Sequence, residues 1–194
     1  MIESHASRPP CLEVVRNDII VPNPPEVQHI LDHPNVRRVI INTDAYSEMV
    51  QFSHTSFETK NETGGRIWGW PCIVKGTDEV IPWIVLATHD EEESTRTTLI
   101  IGHKDRRPWE YGFGDRNNPD AITETGSWHS HPKMGVFLSG VDFGNFTKTL
   151  KYPWSVQIVI EPYSGHVGAL INKGRGKEIP LYIYTENDWE ECWQ

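Results

Sequence analysis

The sequence predicts a mixed α/β fold of the α+β type, a curved central sheet with helices beside it. Short β-rich apolar runs recur along the 194-residue chain, and helical spacing is confined to a few segments. No internal repeat or low-complexity linker divides it. The length suits one domain with a sizeable core. Residues 1–35 read as an N-terminal extension with a short helix, 36–185 as the main domain and 186–194 as a tail.

Residues 1–10 carry no structural signal and are expected to be disordered. "CLEVV" and "DIIVP" are short extended segments. In "NPPEVQHILDH" prolines in the first turn and a proline just past the end bracket a helix. "VRRVIIN" (36–42) is a strand. From Thr43 to Thr59 the apolar positions Tyr46, Met49, Val50, Phe52 and Phe57 fit helical spacing, with Thr43 or Asp44 as the cap. "RIWGWPCIV" and "EVIPWIVLATH" are strands joined by "KGTDE". The run "HDEEES" (89–94) reads as a solvated turn, and "TTLIIGH" as a further strand. "KDRRPWEYGFGDRNNPDA" is rich in Gly, Pro, Asn and Asp and predicts a long loop. "ITETGSWHSH" is a strand and "SGVDFGNFTKTL" opens a helix. "WSVQIVIEP" and "VGALINK" are strands joined by "YSG", and "IPLYIYT" is the last strand.

Composition narrows the function. The chain is 37% hydrophobic and 23% charged, an ordinary globular balance, and no apolar run is long enough for a transmembrane helix. The N-terminus lacks a signal-peptide pattern, so a cytoplasmic protein without membrane attachment is expected. Cys11, Cys72 and Cys192 form neither a Cys-x-x-Cys pair nor an even disulfide set, and Cys72 is expected to be a buried strand residue. With 27 acidic and 18 basic residues the net charge is −9. A phosphate-binding surface would leave a basic stripe, and "KDRR" (104–107) is too short for one, so nucleic acid is not expected as a partner.

The chemistry concentrates in "GSWHSHPKMGVFLSGVD" (126–142). His129 and His131 alternate around Ser130, so on an extended segment both face one way. Asp142 follows after enough chain for a loop and the first turn of a helix. Two imidazoles and a carboxylate form the protein ligand set of a catalytic zinc site, which leaves the fourth position to water. Ser139 sits three residues before Asp142 as an N-cap, an arrangement that also serves as a capping box without any metal. A hydrolase of this kind needs a proton-transfer group, and Glu62 in "NETGGRIWG", between helix and strand, is the candidate.

Together these residues resemble the JAMM motif of MPN-domain (JAB-type) metalloproteases: an upstream glutamate, then His-x-His-Pro, then Ser-x-x-Asp. "HSHPKMGVFLSGVD" is similar to the motif block of the proteasome-lid and signalosome isopeptidases. "ETGG" before an apolar strand is similar to the start of bacterial JAMM domains. The resemblance spans roughly residues 36–172. It implies an MPN/JAB domain with a cytidine-deaminase-like curved mixed sheet flanked by helices, making 36–185 a catalytic domain. It also implies one Zn²⁺ per chain on His129, His131 and Asp142, with Glu62 as general acid/base and Ser139 as an oxyanion donor. Zinc in such a site lowers the pKa of its water toward ~7 and polarises the scissile carbonyl.

The family mostly cuts after the C-terminal glycine of ubiquitin or a ubiquitin-like protein. The implied partner is a ubiquitin-like protein or its conjugates, in some relatives encoded with activating and conjugating enzymes. Two segments, "DEEESTRTTLIIGH" and "KDRRPWEYGFGDRNN", stand where the family has its first insertion, with Trp109, Tyr111 and Phe113 as candidate substrate contacts. Only "KYPW" separates the metal-site helix from the next strand, so the second insertion of several eukaryotic relatives is missing or very short. Alternatives are a JAMM peptidase that trims a sulfur-carrier protein or small peptide, and a non-catalytic MPN scaffold.

Overall fold

The computed structural model describes residues 14–16, 25–74, 76–89, 91–97, 99–101, 122–149, 152–172 and 176–184. In chain order the elements are β1 (Val14–Arg16), α1 (Pro25–Asp32), β2 (Val39–Asn42), α2 (Thr43–Ser53), α3 (Thr55–Thr59), β3 (Gly64–Val74), β4 (Val80–Ala87), β5 (Glu91–Ser94), β6 (Leu99–Ile101), β7 (Thr123–Ser130), α4 (Gly140–Thr149), β8 (Val156–Glu161), β9 (His166–Ile171), β10 (Lys177–Ile179) and β11 (Leu181–Tyr184). The main sheet runs β10-β9-β8-β7-β3-β4-β2-β11, and β1 pairs with the far end of β3. Pairings β7–β8, β2–β4 and β2–β11 are parallel and the others antiparallel, so the fold is mixed α/β.

The sheet is strongly curved, and its connectivity shows why. β10 and β11 lie at opposite ends of the strand order, yet only Pro180 separates them in sequence. The two ends must therefore bend toward each other. Pro180 has no N–H to continue a ladder, and its carbonyl accepts a 2.9 Å bond from the Val39 N–H. Within the curl, α2 lays Ala45 and Met49, one turn apart, on the apolar face made by Ile41, Ile84, Trp128 and Ile158. Burying a side chain of the Ile or Met class stabilises by about 1.5–3 kcal/mol. The Trp128 indole N–H keeps a partner in that core, donating 2.8 Å to the Thr88 carbonyl. Every residue of β4 is buried, which accounts for its unbroken apolar run.

Three local expectations need correction. The helix expected over Thr43–Thr59 divides into α2 and α3 around His54. Ser53 Oγ donates to the Val50 carbonyl and Thr55 Oγ1 to the Phe52 carbonyl, both at 2.7 Å, so side chains compete for the acceptors a continuous helix would use. Neither Thr43 nor Asp44 caps α2: Asn42 holds the N-cap position without a side-chain cap bond. Asn42 Oδ1 instead accepts from Trp83 Nε1 at 2.9 Å, and Thr43 Oγ1 donates 2.9 Å to the Tyr184 carbonyl, so these side chains tie helix to sheet. The acidic run expected to be a turn contains β5, which pairs with β6 as a separate two-stranded sheet. The apolar "LII" run gives it a backbone partner. Residues 1–10, "DIIVP", "KDRR", Cys11, Cys192 and the 186–194 tail lie outside the described residues. No helix among the described residues is long and apolar enough to cross a membrane.

β8 ends on Glu161, a buried carboxylate that accepts the backbone N–H groups of Lys133 (3.0 Å), Tyr163 (3.1 Å) and Ser164 (2.8 Å). It thereby fastens the turn after β7 to the β8–β9 hairpin. Burial would raise this carboxyl, but bonds from Ser164 and from the Tyr163 and Lys133 backbone outweigh it and hold the group below its ordinary 4.5. A depressed native value contributes stability that is present above pH 4.5 and lost as pH falls through it. Glu161→Ala is expected to cost about 1–3 kcal/mol at neutral pH by orphaning these donors. The difference from wild type should shrink below pH 4.5 in urea titrations, whereas an unchanged difference at acidic pH would remove the proposed origin.

Candidate metal centre

The centre is assembled by strand register. β3 runs antiparallel to β7 with Gly64 opposite His129. The pairing continues past the strand ends: Ser130 N–H donates to the Thr63 carbonyl at 2.8 Å and Thr63 N–H to Ser130 Oγ at 2.9 Å. Counting on by one residue on each side brings Glu62 beside His131, and their side chains lie 3.9 Å apart. Gly64 makes this approach possible, because a Cβ there would strike the Trp128 carbonyl and the Leu99 side chain. Alternation along β7 sends Trp128 into the core and His129 to the opposite face, where His131 joins it.

Asp142 arrives from a different element. Ser139 caps α4, its N–H donating 2.8 Å to Asp142 Oδ2 while its Oγ accepts the Asp142 N–H at 3.2 Å. This reciprocal capping box fixes the carboxylate before any other partner is considered. Asp142 Oδ2 lies 3.5 Å from His131 Nε2 and 3.8 Å from His129 Nε2, and the two Nε2 atoms are 3.0 Å apart. His129, His131 and Asp142 could hold one metal ion, their ligand atoms all falling within 4.8 Å of one another. Metal–ligand bonds of ~2.0–2.2 Å in tetrahedral array give ligand–ligand edges of roughly 3.3–3.6 Å, which the observed separations bracket. Glu62 Oε2 is buried without a partner among the described residues. An orphaned carboxylate oxygen beside such a triad is what a site built to face a further group would leave.

The electrostatics separate the two carboxylates. Glu62 is pushed up to about 7, chiefly by burial, with His131 opposing the shift and the Asp142 charge adding to it. Burial acts on Asp142 too, but its bonds with His129 and His131 outweigh it and keep the group ionised far below the usual range. Burial pushes the His129 imidazole down, toward the neutral form that ligates metals. One carboxylate is held as an anion while the other is poised to exchange a proton near neutral pH.

Some supporting residues escape a reading of sequence motifs. His131 Nδ1 sits 3.1 Å from the Gly135 carbonyl, inside the turn that Glu161 anchors. Gln157 Nε2 sits 3.1 Å from His129 Nδ1. Ser56 Oγ lies 2.7 Å from Ser130 Oγ, completing a buried hydroxyl link from α3 to the Glu62 segment. The one signal for them is polar residues interrupting apolar runs, as Gln157 does in "VQIVIE". Cys72 is buried in β3, as expected. Trp109, Tyr111 and Phe113 lie outside the described residues.

No family model matches the chain, and no curated protein does. Among solved structures, the solution structure of protein DSY2949 from Desulfitobacterium hafniense, a structural-genomics target, is 16% identical. The match covers 76% of this chain and 94% of that one with a TM-score of 0.46, a likeness too low to carry a functional argument.

Protein purified without chelator is expected to carry close to one equivalent of divalent metal by elemental analysis, and Asp142→Ala to lose most of it. Equal, negligible contents in both would rule out the metal assignment. Chelation should leave the fold intact, because the core does not depend on this site. The chelated protein gives a second test. A carboxyl whose native value is raised to about 7 from 4.5 makes stability fall as pH rises across that interval. Glu62→Gln should then be more stable than wild type by about 1–3 kcal/mol above pH 7, with the gain vanishing near pH 4.5. A gain independent of pH in urea denaturation would count against a raised Glu62.

Proposed function

We propose that this protein is a zinc-dependent isopeptidase or peptidase of the JAMM/MPN type, cleaving after the C-terminal glycine of a ubiquitin-like protein. The observation that carries this reading is the convergence of two distant sequence blocks, Glu62 from one and His129, His131, Ser139 and Asp142 from the other, on one centre whose histidines and glutamate are buried. Two histidines and one carboxylate form the ligand set of a catalytic zinc ion, which when bound supplies Lewis acidity toward the scissile carbonyl and acidifies water to a pKa of ~7. A metal-only site would not need Glu62, and a non-catalytic scaffold would need none of the five.

The residues have separable tasks. Glu62, buried beside the triad with one carboxylate oxygen unpartnered among the described residues, takes a proton from the attacking water and passes it to the leaving nitrogen as the carbon–nitrogen bond breaks. Ser139 Oγ is occupied as an acceptor by the Asp142 N–H, so its hydroxyl hydrogen is left to donate to the developing oxyanion. Asp142, fixed by its reciprocal bonds with Ser139, is held in place as the third ligand. The Glu62 N–H donates 2.8 Å to the Thr95 carbonyl, which places the β5–β6 hairpin at the rim of the centre. That hairpin belongs to the segment expected to clamp an extended substrate tail by strand addition.

The modifier fused through its terminal glycine to several unrelated proteins, alongside the free tail peptide, tests this reading. Cleavage directly after the glycine is expected in all fusions, with little dependence on the residue beyond the bond. Glu62→Gln should retain zinc and lose at least ~10²–10⁴ of the rate. A tail peptide cut as efficiently as the fusions would favour the alternative, a peptidase that trims a sulfur-carrier or small peptide. Intact fusions with zinc-loaded protein would defeat both.

A further inference from the structure

The face of the sheet that carries the histidines is continued by β8. Parallel register sets Ser127 beside Gln157 and His129 beside Val159, so Gln157, Val159 and Glu161 share the face of His129 and His131. Gln157 is buried, its Nε2 stands 3.1 Å from His129 Nδ1, and its Oε1 has no partner among the described residues. A buried primary amide against the back of a ligand imidazole has a chemical consequence, because each ring nitrogen of a neutral histidine is either a donor or an acceptor.

His131 Nδ1 faces the Gly135 carbonyl, to which its Nδ1–H donates. In the metal-free centre His129 Nε2 faces the ionised Asp142 carboxylate, so in the neutral imidazole Nε2 carries the proton and Nδ1 is bare to accept from the Gln157 NH₂. Were both Nε2 atoms to hold a metal ion, the His129 imidazole would take the other tautomer, with Nε2 bare and the proton on Nδ1. Nδ1–H then needs an acceptor where the amide presents a donor. A half-turn of the amide about its last torsion supplies Oε1 at the same place, with almost no change of shape.

We propose that Gln157 is the positioning residue of His129, donating to its Nδ1 in the metal-free protein and, with the amide turned over, accepting from Nδ1–H when metal is bound. This rests on the metal reading of the centre but not on the identity of the substrate. A glutamine suits the place because one amide offers both a donor and an acceptor. A carboxylate would serve the loaded form alone, and an apolar side chain would serve neither.

The test compares wild type with Gln157→Met, similar in length without donor or acceptor, and Gln157→Glu, which keeps the acceptor. Zinc affinity is measured by competition with a chromogenic chelator, and the His129 tautomer by nitrogen NMR of the chelated proteins. Gln157→Met is expected to weaken zinc binding by ~10–100-fold, the range for loss of a partner behind a ligand. Gln157→Glu should bind within a few-fold of wild type or tighter, and in the chelated state should already hold the His129 proton on Nδ1, where wild type holds it on Nε2. A side chain that only filled space would not move the tautomer. Wild-type affinity in Gln157→Met, or one tautomer in chelated wild type and Gln157→Glu, would overturn the proposal while leaving the metal centre standing. Absence of zinc binding by wild type itself would remove the metal reading and this proposal with it.

Discussion

The antiparallel register of β3 on β7, Gly64 opposite His129, is the constraint on which the rest of the centre depends. Side chains alternate with period two, so a slip of one residue would send His129 and His131 into the core and Trp128 out to their face. The same slip would part Glu62 from His131. Several features defend the register: Gly64 admits the close backbone approach, Ser130 and Thr63 bond each other in both directions, and the Trp128 indole is locked onto Thr88. The fold buries the Trp128 side chain in the core directly before His129, so apolar burial and site geometry enforce one another.

A second layer of order comes from β8. Its core-facing residues Ile158 and Ile160 belong to the apolar interior, whereas Gln157 and Glu161 reach the opposite face and meet polar groups of the centre. Glu161 fixes the turn that presents the Gly135 carbonyl to His131, and Gln157 faces the back of His129. Both histidines are thus held from behind as well as by their own strand. Asp142 is held independently, because the Ser139–Asp142 box closes within one helical turn. A centre built from a strand, a turn and a helix cap has little freedom to collapse, which suits preorganised chemistry.

Burial does opposite things to the two carboxylates because their partners differ. Asp142 is surrounded by donors, so its charge is stabilised despite burial; Glu62 has an orphaned oxygen and a neighbouring anion, so its charge is not. Two acids of ordinary strength are thereby separated into a fixed anion and a group that exchanges protons near neutrality.

The local chemistry was legible in the sequence. The His-x-His spacing, the Ser-x-x-Asp cap, the unbroken apolar run of β4 and the helical stretch after β2 are all functions of residues within a few positions of one another, and period and capping rules act at that range. The division of the 43–59 helix was not legible, since Ser53 and Thr55 bond back to carbonyls only once the chain is placed. Nor was the pairing of the acidic run with "LII", which is decided by a partner strand. The joining of Glu62 to the histidines rests on contacts between residues as far apart as Thr63 and Ser130, 67 positions in sequence, and no local rule reaches that distance. Gln157 and Glu161 stand in "WSVQIVIEP" without a local signal of their roles: the parallel pairing with β7 brings Gln157 to His129, and Glu161 meets the backbone N–H groups of Lys133, Tyr163 and Ser164 only in the folded chain. The sequence by itself determined which groups could do chemistry; tertiary structure decided which of them meet, because strand register and sheet curvature are properties of the whole chain.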